Sequence, residues 1–257
     1  MREEFGDAFA AEWTKFRTTN GGWALLAALV VLTVALGAGA GAAVSRVDPG
    51  QDVVRTSLTG VALGQAVVAV LAVTVIAGEY ATGMIRTTFA AMPRRELVLA
   101  AKALVLTALV LPASALAVGA SLVAGRLLLP ADGGHPALRL TDAATLRAGA
   151  GSVLYLALIA LLSLGLAAAV RDSGTATGAV LALLYLFPVV ASLVTDPHWE
   201  RHLRQIGPMT AGLAVQTTTA AGLRVLPIGP WHGLAVLTAW SAAALLGGGW
   251  LLRLRDA

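Results

Sequence analysis

The chain contains no cysteine, which removes disulfides, thiolate metal sites and a cysteine nucleophile from consideration. Charge is scarce as well: Asp, Glu, Lys and Arg make up 12% of 257 residues, against 58% hydrophobic residues. A soluble domain carries about twice that share of charge, so a water-exposed globule is excluded. Aromatic residues reach only 5%, and the modest excess of basic groups, +4 in all, is scattered through polar breaks. No basic stripe with interleaved aromatics is present, which excludes a nucleic-acid surface and points to anionic lipid headgroups. No Gly-rich loop ends in Lys-Ser or Lys-Thr, so the chain is not expected to hydrolyse a nucleotide. The middles of the long apolar runs hold no charged residue. Ion-coupled carriers and proton relays depend on such groups, so any transport is expected to draw its energy from outside the chain.

Histidine is equally sparse. His198 and His202 stand four apart with Glu200 between them, a spacing that could set two imidazoles on one helical face. Trp199 occupies the place where the zinc-protease pattern has Glu, and the pair reads as solvated loop histidines. His135 and His232 are isolated and support no triad. No metal or cofactor is expected in this chain, and no catalytic residue.

What is present is a set of long apolar runs with a mean hydropathy of +0.80. Crossing about 30 Å of hydrocarbon takes roughly 20 helical residues, and the runs are too long and too uniform for barrel strands. The fold class is an all-α polytopic membrane bundle forming one domain over 1–257, with spans at about 23–44, 56–77, 97–124, 148–170, 176–194 and 231–252. Small residues at Gly37 and Gly41 in the first span, and at Gly174 and Gly178 beside the short turn between the fourth and fifth, are expected to let helices approach closely. Gln65 reads as an interhelical hydrogen-bonding group. Lys102, about a turn inside the third span, is expected to snorkel to the headgroups, and Pro112 to bend that helix.

Three segments fall outside the spans. Residues 3–18 carry Phe5, Phe9, Trp13 and Phe16 on one narrow arc, the pattern of an interfacial amphipathic helix; Glu12, at the edge of the arc, weakens it. Glu3, Glu4, Asp7 and Glu12 are wrong for the positive start of a signal peptide. Residues 197–230 are too polar and broken to span and too apolar for a free loop, which suggests a short hairpin dipping into the outer membrane edge. Between the second and third spans lies GEYATGMIRTTFAAMPRR, Gly78 to Arg95. It reads as a surface helix over about 79–93, with Thr82 as N-cap, Gly83 loosening its entry, Pro93 stopping it, and Ile85, Phe89 and Met92 on one face. Six spans place both termini on one side. Ten Lys and Arg there against eight opposite favour a cytosolic side only weakly.

On these residues the chain resembles the permeases of ATP-binding-cassette (ABC) transporters, type-2 exporter class, actinobacterial branch. The likeness rests on Glu12-Trp-Thr-Lys-Phe-Arg17, on Gly78-Glu-Tyr-Ala-Thr-Gly-Met-Ile-Arg86 through Pro93-Arg-Arg95 and Lys102, and on Leu226-Pro-Ile-Gly-Pro-Trp231. Met84 departs from it, since the family often has Thr there. The resemblance implies a permease subunit, not itself an enzyme, in a bacterial plasma membrane with both termini cytoplasmic. It implies a coupling helix that docks on a separate ATPase through Glu79, Tyr80, Thr82, Gly83, Arg86, Arg94 and Arg95. It further implies two ATPase copies holding ATP and Mg, and a second permease, so that a homodimer of this chain moves an apolar or amphipathic drug, lipid or peptide, as in multidrug efflux. A membrane-anchored immunity or scaffold protein without transport activity stays open, as do a membrane-embedded enzyme and an unrelated secondary carrier; headgroup anchoring is the other reading of Arg94 and Arg95.

Overall fold

A computed structural model describes residues 2–44, 52–92, 94–128, 138–219 and 228–254. The Pro93 stop, His135 and the Leu226-Pro227 pair lie outside the described residues. The described residues are mostly helical and contain no strand.

Six helices are long and apolar enough to cross a membrane: Asn20–Ala43, Val53–Ala81, Arg95–Leu128, Ala143–Val170, Ser173–Ser192 and Pro230–Leu254. The chain is thus a multi-pass membrane protein, and α1 (Arg2–Thr18) precedes the first of these spans, α2 (Asn20–Val44). The second span is broken at Gly60 into α3 (Val53–Ser57) and α4 (Val61–Ala81). A short α5 (Met84–Ala91) leads to α6 (Arg95–Leu128), whose 34 residues extend roughly 51 Å and overrun the hydrocarbon. That helix continues without a break across Pro112.

The second and fourth spans form the centre: 61% of each is buried, against 22% for the fifth and sixth. Along α7 (Ala143–Val170), Tyr155, Ile159, Leu162 and Leu164 are fully enclosed, whereas Val31, Leu186 and Leu246 face outward from peripheral helices. Helix α7 packs closely on α12 (Pro230–Leu254) because Gly165 and Gly248 meet there; a Cβ at Gly165 would strike the backbone of Ala244 and Leu245. Gly37 similarly admits the Ser57 carbonyl, and Gly41 is buried. Gly174 and Gly178 correct the sequence reading. Both are exposed, and a Cβ at Gly178 would meet nothing within 4 Å, because Ala176 and Val180 are the residues that α8 (Ser173–Leu181) turns inward.

The fifth span is not a uniform helix. Between α8 and α9 (Phe187–Ser192) lies a π-helical turn, Ala182–Leu186. Pro188 follows, and a proline in a regular helix would clash with the carbonyl four residues before it. The widened turn relieves that clash.

Beyond the fifth span, α10 (Pro197–Ile206) has no buried residue and is capped by Asp196, whose Oδ1 accepts from His198 N at 2.8 Å. The next residues turn inward. Helix α11 (Pro208–Leu213) and a 3-10 turn (Ala214–Gln216) pack against α7 and α12, burying Ala211, Val215 and Gln216. Two bonds tie them to the bundle: Gln216 Nε2 donates to Ser152 Oγ at 3.0 Å and Arg147 Nη2 to Thr217 O at 2.7 Å. Asp52 closes the segment by accepting from Thr218 N and Oγ1, each at 2.6 Å, while also capping α3.

Gly165→Val is therefore expected to lower the thermal midpoint in detergent by roughly 5 °C or to abolish folding, whereas Gly178→Val leaves it unchanged. Melting curves of the two variants beside the parent check this.

Candidate functional site

At one end of the bundle α1 lies across α4 and α6. Its first turn holds Glu3 and Glu4 and its last Lys15 and Arg17, each sign matched to the helix dipole. Ala8, Glu12 and Lys15 recur at helical spacing, and Ala8 and Glu12 are buried. Phe9 and Trp13 stack with centroids 6.3 Å apart and Phe16 meets Trp23 edge-on at 5.5 Å. These three helix aromatics are half-buried against the core, and Phe5 lines a groove with Leu99 and Trp250. The aromatic arc is thus shared with the protein, and Glu12 is central to the docked face.

Four charges meet beneath α1. Lys102 Nζ donates to Glu12 Oε2 at 2.7 Å, Glu79 Oε1 at 2.6 Å and Val75 O at 3.2 Å. Lys15 Nζ donates to Glu12 Oε1 and Glu79 Oε1, both at 2.8 Å, and to Thr88 Oγ1 of α5 at 3.4 Å. Two ammonium and two carboxylate groups alternate in a closed ring with no net formal charge. Lys102 is 1% exposed and Glu79 5%, so the expected snorkelling of Lys102 is replaced by internal neutralisation. Removing an ammonium from such a ring strands a carboxylate, and breaking a buried pair costs about 3–5 kcal/mol. Burial pulls the Lys15 ammonium down, but its bonds to Glu12 and Glu79 outweigh that and hold it above the ordinary lysine range.

The ring redraws the segment read as one helix over 79–93. Glu79 and Tyr80 belong to the last turn of α4, which runs on because the Glu79 carboxylate is neutralised. Thr82 is the C-cap of that helix, its hydroxyl bonding back to Gly78 O at 3.0 Å, and not an N-cap of the next. Gly83 takes the left-handed conformation at φ 71°, which lets the chain turn sharply before α5 begins at Met84. With Gly83 as N-cap and Met84 after it, α5 has no side-chain cap. Ile85 and Phe89 are buried against the bundle, Met92 is half-buried, and Met84, Arg86 and Thr87 face outward.

The remaining basic residues tie this end together. Arg94 Nη1 donates to Glu4 Oε2 at 2.8 Å on the surface. Arg95 donates to Leu252 O at 2.7 Å with its guanidinium 5.1 Å from the Phe89 ring. Arg171 covers the Tyr80 ring at 5.5 Å and donates to Leu251 O at 3.4 Å, so two arginines serve the last carbonyls of α12. Of the residues expected to meet a partner, Thr82, Gly83, Arg86 and Arg94 are exposed, and Glu79 is enclosed. Lys15, Lys102 and Thr88, with Glu12, complete a constellation that sequence reading did not join. Its signal was the set of isolated charges in otherwise apolar surroundings. Among the described residues no group of three His, Cys, Asp or Glu could hold a metal.

No family model and no curated protein matches the chain.

Because the chain has no cysteine, a Glu4→Cys/Arg94→Cys pair reports docking of α1 by crosslinking without background. Lys102→Met is expected to destabilise the protein by about 3–5 kcal/mol and abolish that crosslink. A group whose folded pKa is raised contributes stability below its unfolded value and loses it as pH rises through the folded one. For Lys15 the crosslink should hold steady from pH 7 to 9 and fail only beyond about pH 10.

Proposed function

We propose that the chain is the membrane-spanning permease subunit of an ABC exporter in a bacterial plasma membrane, driven by a separate ATPase that holds ATP and Mg. One observation carries the reading: α5 is an outward-facing helix between the second and third spans, locked to both by its buried Ile85 and Phe89 and by the Thr88 bond to the charge ring. Its free face offers Met84, Arg86 and Thr87 to a partner. A rigid handle of this kind transmits a push from outside the membrane, because α1, α4 and α6 must follow it through the ring. ATP closing a pair of ATPase subunits would move α5, and spans facing one another across a homodimer of this chain would then change their separation. The termini end of the bundle is cytoplasmic on this reading, and α11 with its 3-10 turn is the re-entrant element of the outer edge. The substrate is apolar or amphipathic, a drug, lipid or peptide, since the charges that are buried already neutralise one another.

The test is purification of the tagged chain from native membranes in mild detergent, with mass spectrometry of its companions and an ATPase assay. An ABC ATPase is expected to accompany the parent chain. Met84→Asp/Arg86→Glu should reduce its recovery by about tenfold with the melting curve unchanged. Glu79→Ala, which opens the ring, should lower the melting curve itself. A folded chain that brings no ATPase would sink the permease reading in favour of a membrane-anchored immunity or scaffold protein.

A further inference from the structure

All the donors of the charge ring are committed. Each lysine ammonium has three N–H bonds, and the three acceptors around Lys15 and the three around Lys102 take them all. The acceptors are not all used: Glu79 Oε2 is buried and has no hydrogen-bond partner among the described residues. A buried carboxylate oxygen without a donor is costly, and such orphans mark places where another molecule belongs. Glu79 also lines a cavity of about 350 Å³ between α1, α2, α4 and α6, whose walls are Phe16, Leu25, Leu71, Val75 and Leu106. That volume lies at the lower end of the range of small-molecule sites.

We propose that this cavity binds a neutral amphiphile whose hydroxyl group donates to Glu79 Oε2, which a turn of the carboxylate brings to the cavity wall, while its apolar body fills the space beside α4. The ring decides the head group. An anion finds no free ammonium N–H in the ring and meets the carboxylate oxygen instead. A cation adds a third positive charge to a set of two ammonium and two carboxylate groups, of which only Lys15 is half-buried and the rest are buried, with no counter-charge left for it. A hydroxyl supplies the missing donor and leaves the balance untouched, and a bond from O–H to an ionised carboxylate is among the stronger kinds. The proposal does not rest on the transport reading, because it concerns only what the ring and its cavity accept.

The experiment uses the full chain in nanodiscs with three photoreactive probes sharing one diazirine-bearing dodecyl chain, headed by a hydroxyl, a carboxylate or a trimethylammonium group. The alcohol is expected to label peptides covering 21–25 and 71–82, to be displaced by excess dodecanol, and to exceed the other two by about tenfold. Gly78→Leu supplies the control for folding. Gly78 lines the cavity, and a Cβ there meets nothing within 4 Å, so the larger side chain occupies the space and spares the ring. This variant should keep its melting curve and the Glu4→Cys/Arg94→Cys crosslink while losing the alcohol adduct. Equal labelling by the acid or the ammonium probe, labelling that dodecanol does not displace, or an unchanged adduct in Gly78→Leu would each overturn the proposal. Absence of any adduct in these peptides would overturn it too.

Discussion

Glu12, Lys15, Glu79 and Lys102 come from three helices and neutralise one another in a ring that none of those helices could complete alone. An unpaired ammonium or carboxylate at this depth would cost several kcal/mol, and two pairs held by two-point contacts avoid that. Much of the architecture at this end follows. Helix α4 continues through Glu79 because the charge is met, α6 begins several residues before Lys102 because that ammonium need not escape to water, and α1 is held against α4 and α6 because its acid and base both point into the ring. Thr88 extends the same set of bonds to α5, so a short helix with only two buried apolar side chains still has a defined position.

The opposite end relies on hydrogen bonds. Asp52 caps α3 and binds Thr218, while Arg147 and Ser152 on α7 take up Thr217 and Gln216. Irregular backbone survives beside a membrane only when such partners exist, and here they come from side chains fixed on long helices. Between the two ends the contacts are apolar and close, with glycine at the crossing of α7 and α12. One end is thus ionic, the other is hydrogen-bonded, and the middle is held by packing.

Hydropathy made the six spans legible, because length and composition are what a bilayer selects. The ends of the spans were harder to read. Hydropathy ends the second span at about 77, before the charge of Glu79, and only the lysines from α1 and α6 show why the helix goes on to Ala81. The same blindness made Glu12 a blemish on an aromatic arc and Lys102 a snorkelling side chain. Local sequence shows only the Glu12–Lys15 pair, three apart, whereas the partners of Lys102 lie 23 and 90 residues away. Gly174 and Gly178 failed for a related reason: spacing identifies a small-residue face but not which neighbour it turns towards. The π turn before Pro188 had a local cue in the proline itself, which a length count passes over.

The composition of the ring also bears on how such a structure can form in a membrane at all. Glu12 and Lys15 lie three apart on one helix and pair at 2.8 Å, so α1 carries a neutral couple before it meets anything else. Glu79 and Lys102 sit on the last turn of α4 and near the start of α6, joined by a short connection, and pair at 2.6 Å. Each half is neutral by itself. Insertion of the second and third spans therefore need not carry a lone charge into hydrocarbon, and docking of α1 brings together two dipolar pairs instead of two bare ions. Joining them lets Glu12 reach Lys102 and Lys15 reach Glu79, which adds two charge-assisted bonds without adding net charge. The ring thus adds ionic ties to the apolar contacts of Ala8, Phe9, Trp13 and Phe16 that seat α1, and an odd charge in its place would have carried a standing cost.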